Sequence, residues 1–167
     1  MKLYVIDTNV ILLAGTMIKD VPNDQLLCYQ NCIVFLNNFM KYGNYVLVDD
    51  EGRVLKEYKS LFRLIPYPNM AANFFQYSMA HMKFYHLVEK EENVFDNYPE
   101  SKELKEFDAP DRKFIALAYG YKRNTSIVEA ADSKWWGIKE ELLKNGIDLI
   151  FIDEDYIRTK WEKKIGN

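Results

Sequence analysis

Four short apolar runs, separated by stretches with helical periodicity, are the feature that most constrains the fold of this chain. The runs are Leu3–Ile6, Tyr45–Val48, Ser126–Ala131 and Asp148–Ile152. The first run shows no alternation of apolar and polar residues, which is typical of a strand buried on both faces. Strands that alternate with helices predict a parallel sheet covered by helices on both sides, which is an α/β three-layer sandwich.

The segments between these runs are predicted to be mostly helical. The apolar spacing and the capping or breaking residues place helices over 10–14, 25–42, 51–65, 70–91, 108–121 and 133–144, with a loop over 93–105. Pro66 and Pro68 are expected to stop the third of these helices. The chain contains neither internal repeats nor low-complexity linkers, so residues 1–167 are predicted to form one domain.

The composition restricts the classes of partner and compartment. The formal net charge is −3, so binding of a long nucleic acid would require a local basic patch or bound cations. The apolar N-terminal segment lacks a basic leader and a cleavage site, and no run reaches the ~20 apolar residues of a membrane span. The default expectation is therefore a cytoplasmic protein. Cys28 and Cys32 have no further zinc ligand nearby in the sequence and are expected to be buried thiols.

Four acidic residues occupy positions from which they could converge. Ligands of open α/β sheets bind outside the carboxyl ends of the strands, and Asp7 and Asp132 follow the first and third predicted strands. Glu57 lies three residues after Val54, at the edge of the apolar stripe of its helix. Asp111 lies along the inward face of its own predicted helix, which also carries Phe114 and Ile115. We expect these four side chains to share one cleft.

Clustered carboxylates indicate a hard divalent cation. The acids would otherwise repel one another and raise each other's pKa, whereas Mg²⁺ or Mn²⁺ prefers oxygen ligands. Such a centre suits phosphodiester hydrolysis, because a metal can lower the pKa of the attacking water and stabilise the leaving oxygen. Each acid also has a structural interpretation. Asp108-Ala-Pro-Asp111 resembles a capping box with Asp108 as the cap, which could account for Asp111. Asp7 and Asp132 could be helix N-caps, and Glu57 could be a solvated acid.

The segments that carry these acids resemble those of PIN-domain nucleases. Val5–Asn9 resembles the family's first strand, which ends in an aspartate followed by a small polar residue and an asparagine. Val54–Tyr58 is similar to the segment with the family's glutamate, and Asp111–Ala118 to its third-acid helix. Glu129–Asp132 resembles the strand end with the fourth acid. The four segments occur in the family's order and span nearly the whole chain.

This resemblance implies a specific function. It implies strand order 3-2-1-4-5 in a sheet of four to five strands, with Asp7, Glu57, Asp111 and Asp132 as catalytic and metal-binding residues for Mg²⁺ or Mn²⁺. It implies an endoribonuclease acting on single-stranded RNA, with many relatives being toxins of toxin–antitoxin pairs. The alternative is a PIN-like binding or regulatory module with little catalytic activity. Such a module would act through an aromatic helix, and an acidic composition would suit it.

Two further features are candidates for substrate and partner contacts. Basic residues around the acids could contact phosphates, or could simply be solvated. The candidate substrate-binding residues are Asn9, Arg53, Arg112 and Lys113. The aromatic stretch 74–87 is apolar on more than one side of its predicted helix, so it could be buried, or could form an interface with an antitoxin or a second copy.

Overall fold

Five parallel strands form the central sheet of the computed structural model, which describes residues 2–65, 69–122 and 124–166. The strands are β1 (Leu3–Ile6), β2 (Tyr45–Asp49), β3 (Met82–Tyr85), β6 (Thr125–Glu129) and β7 (Asp148–Phe151). A separate two-stranded antiparallel hairpin consists of β4 (Glu89–Glu91) and β5 (Val94–Phe95).

The helices alternate with the strands along the chain. They are α1 (Thr8–Gly15), α2 (Leu26–Lys41), α3 (Arg53–Phe62), α4 (Met70–Ala80), α5 (Lys102–Lys105), α6 (Arg112–Tyr121), α7 (Lys134–Gly137), α8 (Lys139–Lys144) and α9 (Glu154–Ile165). Short 3₁₀ turns occur at Ile18–Asp20, Asn23–Gln25 and Ala109–Asp111. Helices α1, α2 and α4 pack on one another, and α6 packs on β1, β2 and β6.

The sheet order is β3-β2-β1-β6-β7. Counting only the strands of this sheet, the order is 3-2-1-4-5, as predicted. All four neighbouring pairs are parallel, and helices flank the sheet, consistent with a three-layer α/β sandwich. The carboxyl ends of β1, β2 and β6 therefore lie together at one edge. Among the described residues, no helix is long and apolar enough to cross a membrane.

The predicted helix over 70–91 is wrong in its second half. Helix α4 ends at Ala80, and β3 follows and pairs in parallel with β2. The Val46 N–H donates to the His81 carbonyl at 2.9 Å, so pairing with the sheet overrides the local helical pattern. The predicted loop over 93–105 also contains β5 and α5. The predicted stop at Pro66 and Pro68 lies outside the described residues, and α3 ends at Phe62.

The aromatic stretch 74–87 is mainly part of the core rather than a continuous helical interface. Phe74 is fully buried, and its ring lies 5.4 Å from that of Phe39. Tyr77 also contacts Phe39, at 6.0 Å between ring centroids. Phe84, on the edge strand β3, is exposed. The predicted interface on a 74–87 helix therefore loses its basis. Cys28 and Cys32 are buried free thiols, as predicted.

Candidate functional site

The carboxyl ends of β1 and β6 bring two acidic residues side by side. Asp7 follows β1, and its N–H donates to the Val128 carbonyl at 2.9 Å. The parallel register pairs Ile6 with Val128, so Asp7 comes level with Glu129, the last residue of β6. Both side chains are buried, with exposed fractions of 2% and 0%. Two carboxyl groups thus lie in the interior at the same edge of the sheet.

Asp7 is both a helix cap and a member of an acidic cluster. Its Oδ1 accepts the Asn9 N–H at 2.8 Å, which caps α1. The pKa of Asp7 is raised to about 7, and burial is the largest cause. The charges of Asp111 and Asp132 act in the same direction, whereas hydrogen bonds with the Asn9 N–H and the Glu129 side chain act against it. The capping interpretation is therefore correct but does not account for the burial beside other acids.

Asp111 and Asp132 complete the cluster from two different segments. Asp111 ends the 3₁₀ turn before α6, and Asp132 lies between β6 and α7. Partial burial raises the pKa of Asp111 to about 6, with the charges of Asp108 and Asp132 adding to the shift and those of Lys113 and Lys134 opposing it. Asp7, Asp111 and Asp132 are thus close enough for their charges to act on one another.

Glu129 is an acidic residue of this cluster that the sequence-based candidates do not include. Its Oε1 accepts the N–H groups of Ala131 at 2.9 Å and Asp132 at 2.8 Å. Its Oε2 is buried and has no hydrogen-bond partner among the described residues. Burial, followed by the charge of Asp7, raises the pKa of Glu129 well above its ordinary value. The available sequence signal was an acid ending a strand adjacent to β1.

Glu57 forms an ion pair with a lysine near the cluster. The Tyr58 hydroxyl donates to the Ile6 carbonyl at 2.5 Å, which ties α3 to the end of β1 beside Asp7. Glu57 precedes this anchor, and its Oε1 lies 2.6 Å from the Nζ of Lys113. The side chain of Glu57 is 38% exposed, whereas that of Lys113 is 6% exposed. Glu57 is therefore at the rim of the site, and an ammonium group neutralises it.

A second lysine neutralises the opposite side of the cluster. The Nζ of Lys134 lies 3.2 Å from Oδ2 of Asp132 and also bonds to Asp108. These two acids raise the pKa of Lys134, with the hydrogen bond that Lys134 donates to Asp108 as the largest cause. Asp132 Oδ1 accepts the Lys134 N–H at 2.9 Å at the start of α7, although the N-cap residue of this helix is Ser133 rather than Asp132.

The four candidate substrate-binding residues occupy different environments. Asn9 is half-buried in the first turn of α1. Arg53 is held by Asp49, Glu51 and Glu89, and Lys113 by Glu57. Arg112 donates from Nε to the Phe107 carbonyl at 2.8 Å. Arg53 and Lys113 line one cleft and Arg112 lines another, so the structure does not bring all four side chains to one surface.

The donor types at this edge fit a hard divalent cation. Four carboxylates contribute to the cluster, and one buried oxygen of Glu129 lacks a hydrogen bond, a deficit that an oxygen-seeking cation would relieve. In the described ranges, however, no group of three His, Cys, Asp or Glu side chains has the arrangement needed to hold a metal ion. A cation would therefore require side-chain rearrangement, including at the acids that the lysines hold.

Comparison of the chain with protein-family models, with curated proteins and with solved structures finds no match.

Proposed function

We propose that this protein is a divalent-metal-dependent nuclease that hydrolyses phosphodiester bonds. The observation that carries the proposal is the group of Asp7, Asp111, Asp132 and Glu129 at the carboxyl edge of the sheet, in which one buried carboxylate oxygen has no partner. Groups with perturbed pKa values at such an edge favour a functional site, because a structural role alone would not need several buried acids.

The chain's own residues would supply the ligands and their orientation. Asp7, Asp111, Asp132 and Glu129 would hold the cation, and Glu57 would join from the rim once released from Lys113. Two backbone N–H groups fix one oxygen of Glu129, so its other oxygen needs little ordering to bind. Bound Mg²⁺ or Mn²⁺ would lower the pKa of the attacking water and stabilise the leaving oxygen.

Single-stranded RNA is the proposed substrate, and a toxin of a toxin–antitoxin pair is the proposed biological role. Both rest on the resemblance of the acid-bearing segments to PIN-domain nucleases. The strand order of the sheet is compatible with that resemblance.

A PIN-like binding or regulatory module is the second candidate. The observation in its favour is that ammonium groups already neutralise two acids, through the Lys113–Glu57 and Lys134–Asp132 pairs. A site compensated in this way can persist without a metal. This module would not act through a 74–87 helix, because that segment is divided between α4 and β3.

Cleavage of labelled RNA separates the two candidates. Single-stranded RNA and DNA are incubated with the protein in Mg²⁺, Mn²⁺ or EDTA, alongside the variants Asp7→Asn and Asp111→Asn. The matched control is Asp50→Asn, an exposed aspartate that follows β2 and pairs with His86. Metal-dependent RNA cleavage that both cluster variants lose and the control keeps supports the nuclease. Absence of cleavage together with absence of Mn²⁺ binding supports the binding module.

A further inference from the structure

A cleft of about 570 Å³ lies beside the acidic cluster, between α3, the N-terminus of α1, the β4–β5 hairpin and the start of α6. Helix α3 contributes Arg53, Lys56, Glu57, Ser60 and Leu61, which follow the spacing of one helical face. Thr8, next to Asp7, also lines the cleft, as does Asn93 from the hairpin. The cleft is therefore lined by the chain neighbours of two cluster acids, Thr8 beside Asp7 and Pro110 beside Asp111, although not by the acids themselves.

The positive charge in this cleft is mostly committed to partners. Arg53 lies 2.6 Å from Glu51 and 2.7 Å from Glu89. Lys113 is bonded to Glu57. Lys56 is exposed and, within the part of the chain that the structure describes, makes no ion pair. Of the three cations lining the cleft, Lys56 is the one that can accept an anion without breaking an existing pair.

The opposite wall of the cleft is held rigidly against α3. Glu89 accepts the Asn93 N–H at 2.7 Å through Oε1 and the Arg53 Nε–H at 2.9 Å through Oε2. Asn93 has a φ of 59°, which fixes the tip of the hairpin in a left-handed turn. Glu89 therefore holds the hairpin against the helix, so little conformational entropy of the hairpin would be lost when a ligand binds in the cleft.

We propose that this cleft binds the sugar–phosphate backbone of a nucleic acid strand, with one phosphate on Lys56 and the adjoining phosphate directed to the acidic cluster. The inference rests on the proposed nuclease function and adds its substrate subsite. Lys56 has no ion pair among the described residues, and Thr8, Ser60 and Asn93 add uncharged polar groups to the lining, which together suit a phosphate although the whole chain is acidic. Lys and Asn side chains are common phosphate donors, and such contacts position a strand without reading its sequence.

The matched pair Lys56→Gln and Lys59→Gln tests this subsite. Both lysines are exposed on α3 and have no ion pair among the described residues, but Lys59 does not line the cleft. Fluorescence anisotropy of a labelled single-stranded RNA, and of the same sequence as DNA, is measured in EDTA over a range of salt concentrations. Loss of one phosphate contact lowers the slope of log affinity against log salt by about 0.7 for a single strand.

The expected result is that Lys56→Gln weakens binding several-fold with this reduced slope, while Lys59→Gln behaves as the unchanged protein. Equal behaviour of the two variants overturns the subsite, and so does failure of the unchanged protein to bind either strand. Metal-dependent cleavage is scored separately on the unchanged protein. Cleavage without a Lys56 effect overturns the subsite and keeps the nuclease, whereas absence of both cleavage and binding overturns both.

Discussion

Two buried carboxylates at the same edge of the sheet have opposite surroundings. Asp49, the last residue of β2, accepts the Arg53 N–H at 2.8 Å and the Val54 N–H at 2.9 Å, and the Arg53 guanidinium lies 3.4 Å away. Glu129, the last residue of β6, has one oxygen without a partner and lies beside Asp7. Both side chains are fully buried. The two acids therefore have equivalent positions at strand ends and differ in whether both carboxylate oxygens accept hydrogen bonds.

We call the β2 side of this sheet edge the structural half, and the β1–β6 side, where we propose the metal site, the functional half. At β2 the chain turns through Gly52, whose φ of 78° suits glycine, and this brings the N–H groups of α3 to Asp49. At β1 and β6 the acids face one another, and the protein bears the cost of burying them. Lysines compensate Glu57 and Asp132. Asp7 and Glu129 have no ion pair among the described residues, and a cost of this kind is expected where function requires it.

The largest expected effect is on the structural half. Asp49→Ala leaves two α3 N–H groups without their buried acceptor and removes one of the carboxylates that Arg53 contacts, so the free energy of unfolding should fall by about 3 kcal/mol. The control is Glu51→Ala, which removes a partner of Arg53 that is 55% exposed and should cost less than about 1 kcal/mol. Urea denaturation measures both. Equal small losses would show that Asp49 is not an important cap.

The functional half should respond in the opposite direction. The pKa of Asp7 is about 7 in the folded protein, against an ordinary value of 3.8. Between these two pH values the folded protein keeps a proton on Asp7 that the unfolded chain has already released. This carboxyl therefore favours the folded state most at about pH 4 and below. Its contribution is lost as the pH rises through 7. Asp7→Asn, which can still cap α1, should raise stability at pH 8 by on the order of 2 kcal/mol.

Urea denaturation at pH 5 and pH 8 measures this gain, which should be much smaller at pH 5. The control is Asp153→Asn at the N-cap of α9, where the side chain accepts the Tyr156 N–H but is less buried. A less stable Asp7→Asn protein at pH 8 would show that Asp7 is a net stabilising cap, and the contrast with Asp49 would fail.

The smallest expected effect concerns the ammonium groups that compensate the functional half. Lys134→Gln removes the positive charge 3.2 Å from Asp132, so Mn²⁺ should bind about fivefold more tightly, or about 1 kcal/mol. Lys139→Gln, which breaks the exposed pair with Glu154 at 2.6 Å, should leave the affinity unchanged. Calorimetric titration measures both. Weaker binding by Lys134→Gln would mean that the lysine supports the cation rather than competing with it.

Local sequence predicted the parts of the fold that depend on buried apolar runs. Strands β1, β2, β6 and β7 were all recognised because their cores are continuous apolar segments. Strand β3 was missed because Lys83 and Phe84 are exposed on the sheet edge and continue the apolar pattern of α4. Its strand structure comes from pairing with β2, which local sequence does not encode.

The candidate site was predictable only in its acidic residues. Asp7, Asp111 and Asp132 follow from strand ends and helix phase, and their charges do act on one another. Glu129 is not among the predicted site residues, because a glutamate at the end of an apolar strand is usually interpreted as the exposed polar residue that ends the strand. The burial of Lys113 against Glu57 was also unpredictable, because it depends on how α3 and α6 approach each other across the sheet.

The central claim is that the functional half of the sheet edge holds a divalent cation, and binding of Mn²⁺ tests this claim most directly. Calorimetric titration is performed on the unchanged protein, on Asp7→Asn and Asp132→Asn, and on the exposed control Asp50→Asn. The account predicts saturable binding that the two cluster variants lose or weaken by at least about tenfold, as expected for loss of a ligand, while the control binds normally. Absence of binding by the unchanged protein, or equal binding by Asp7→Asn, would contradict it.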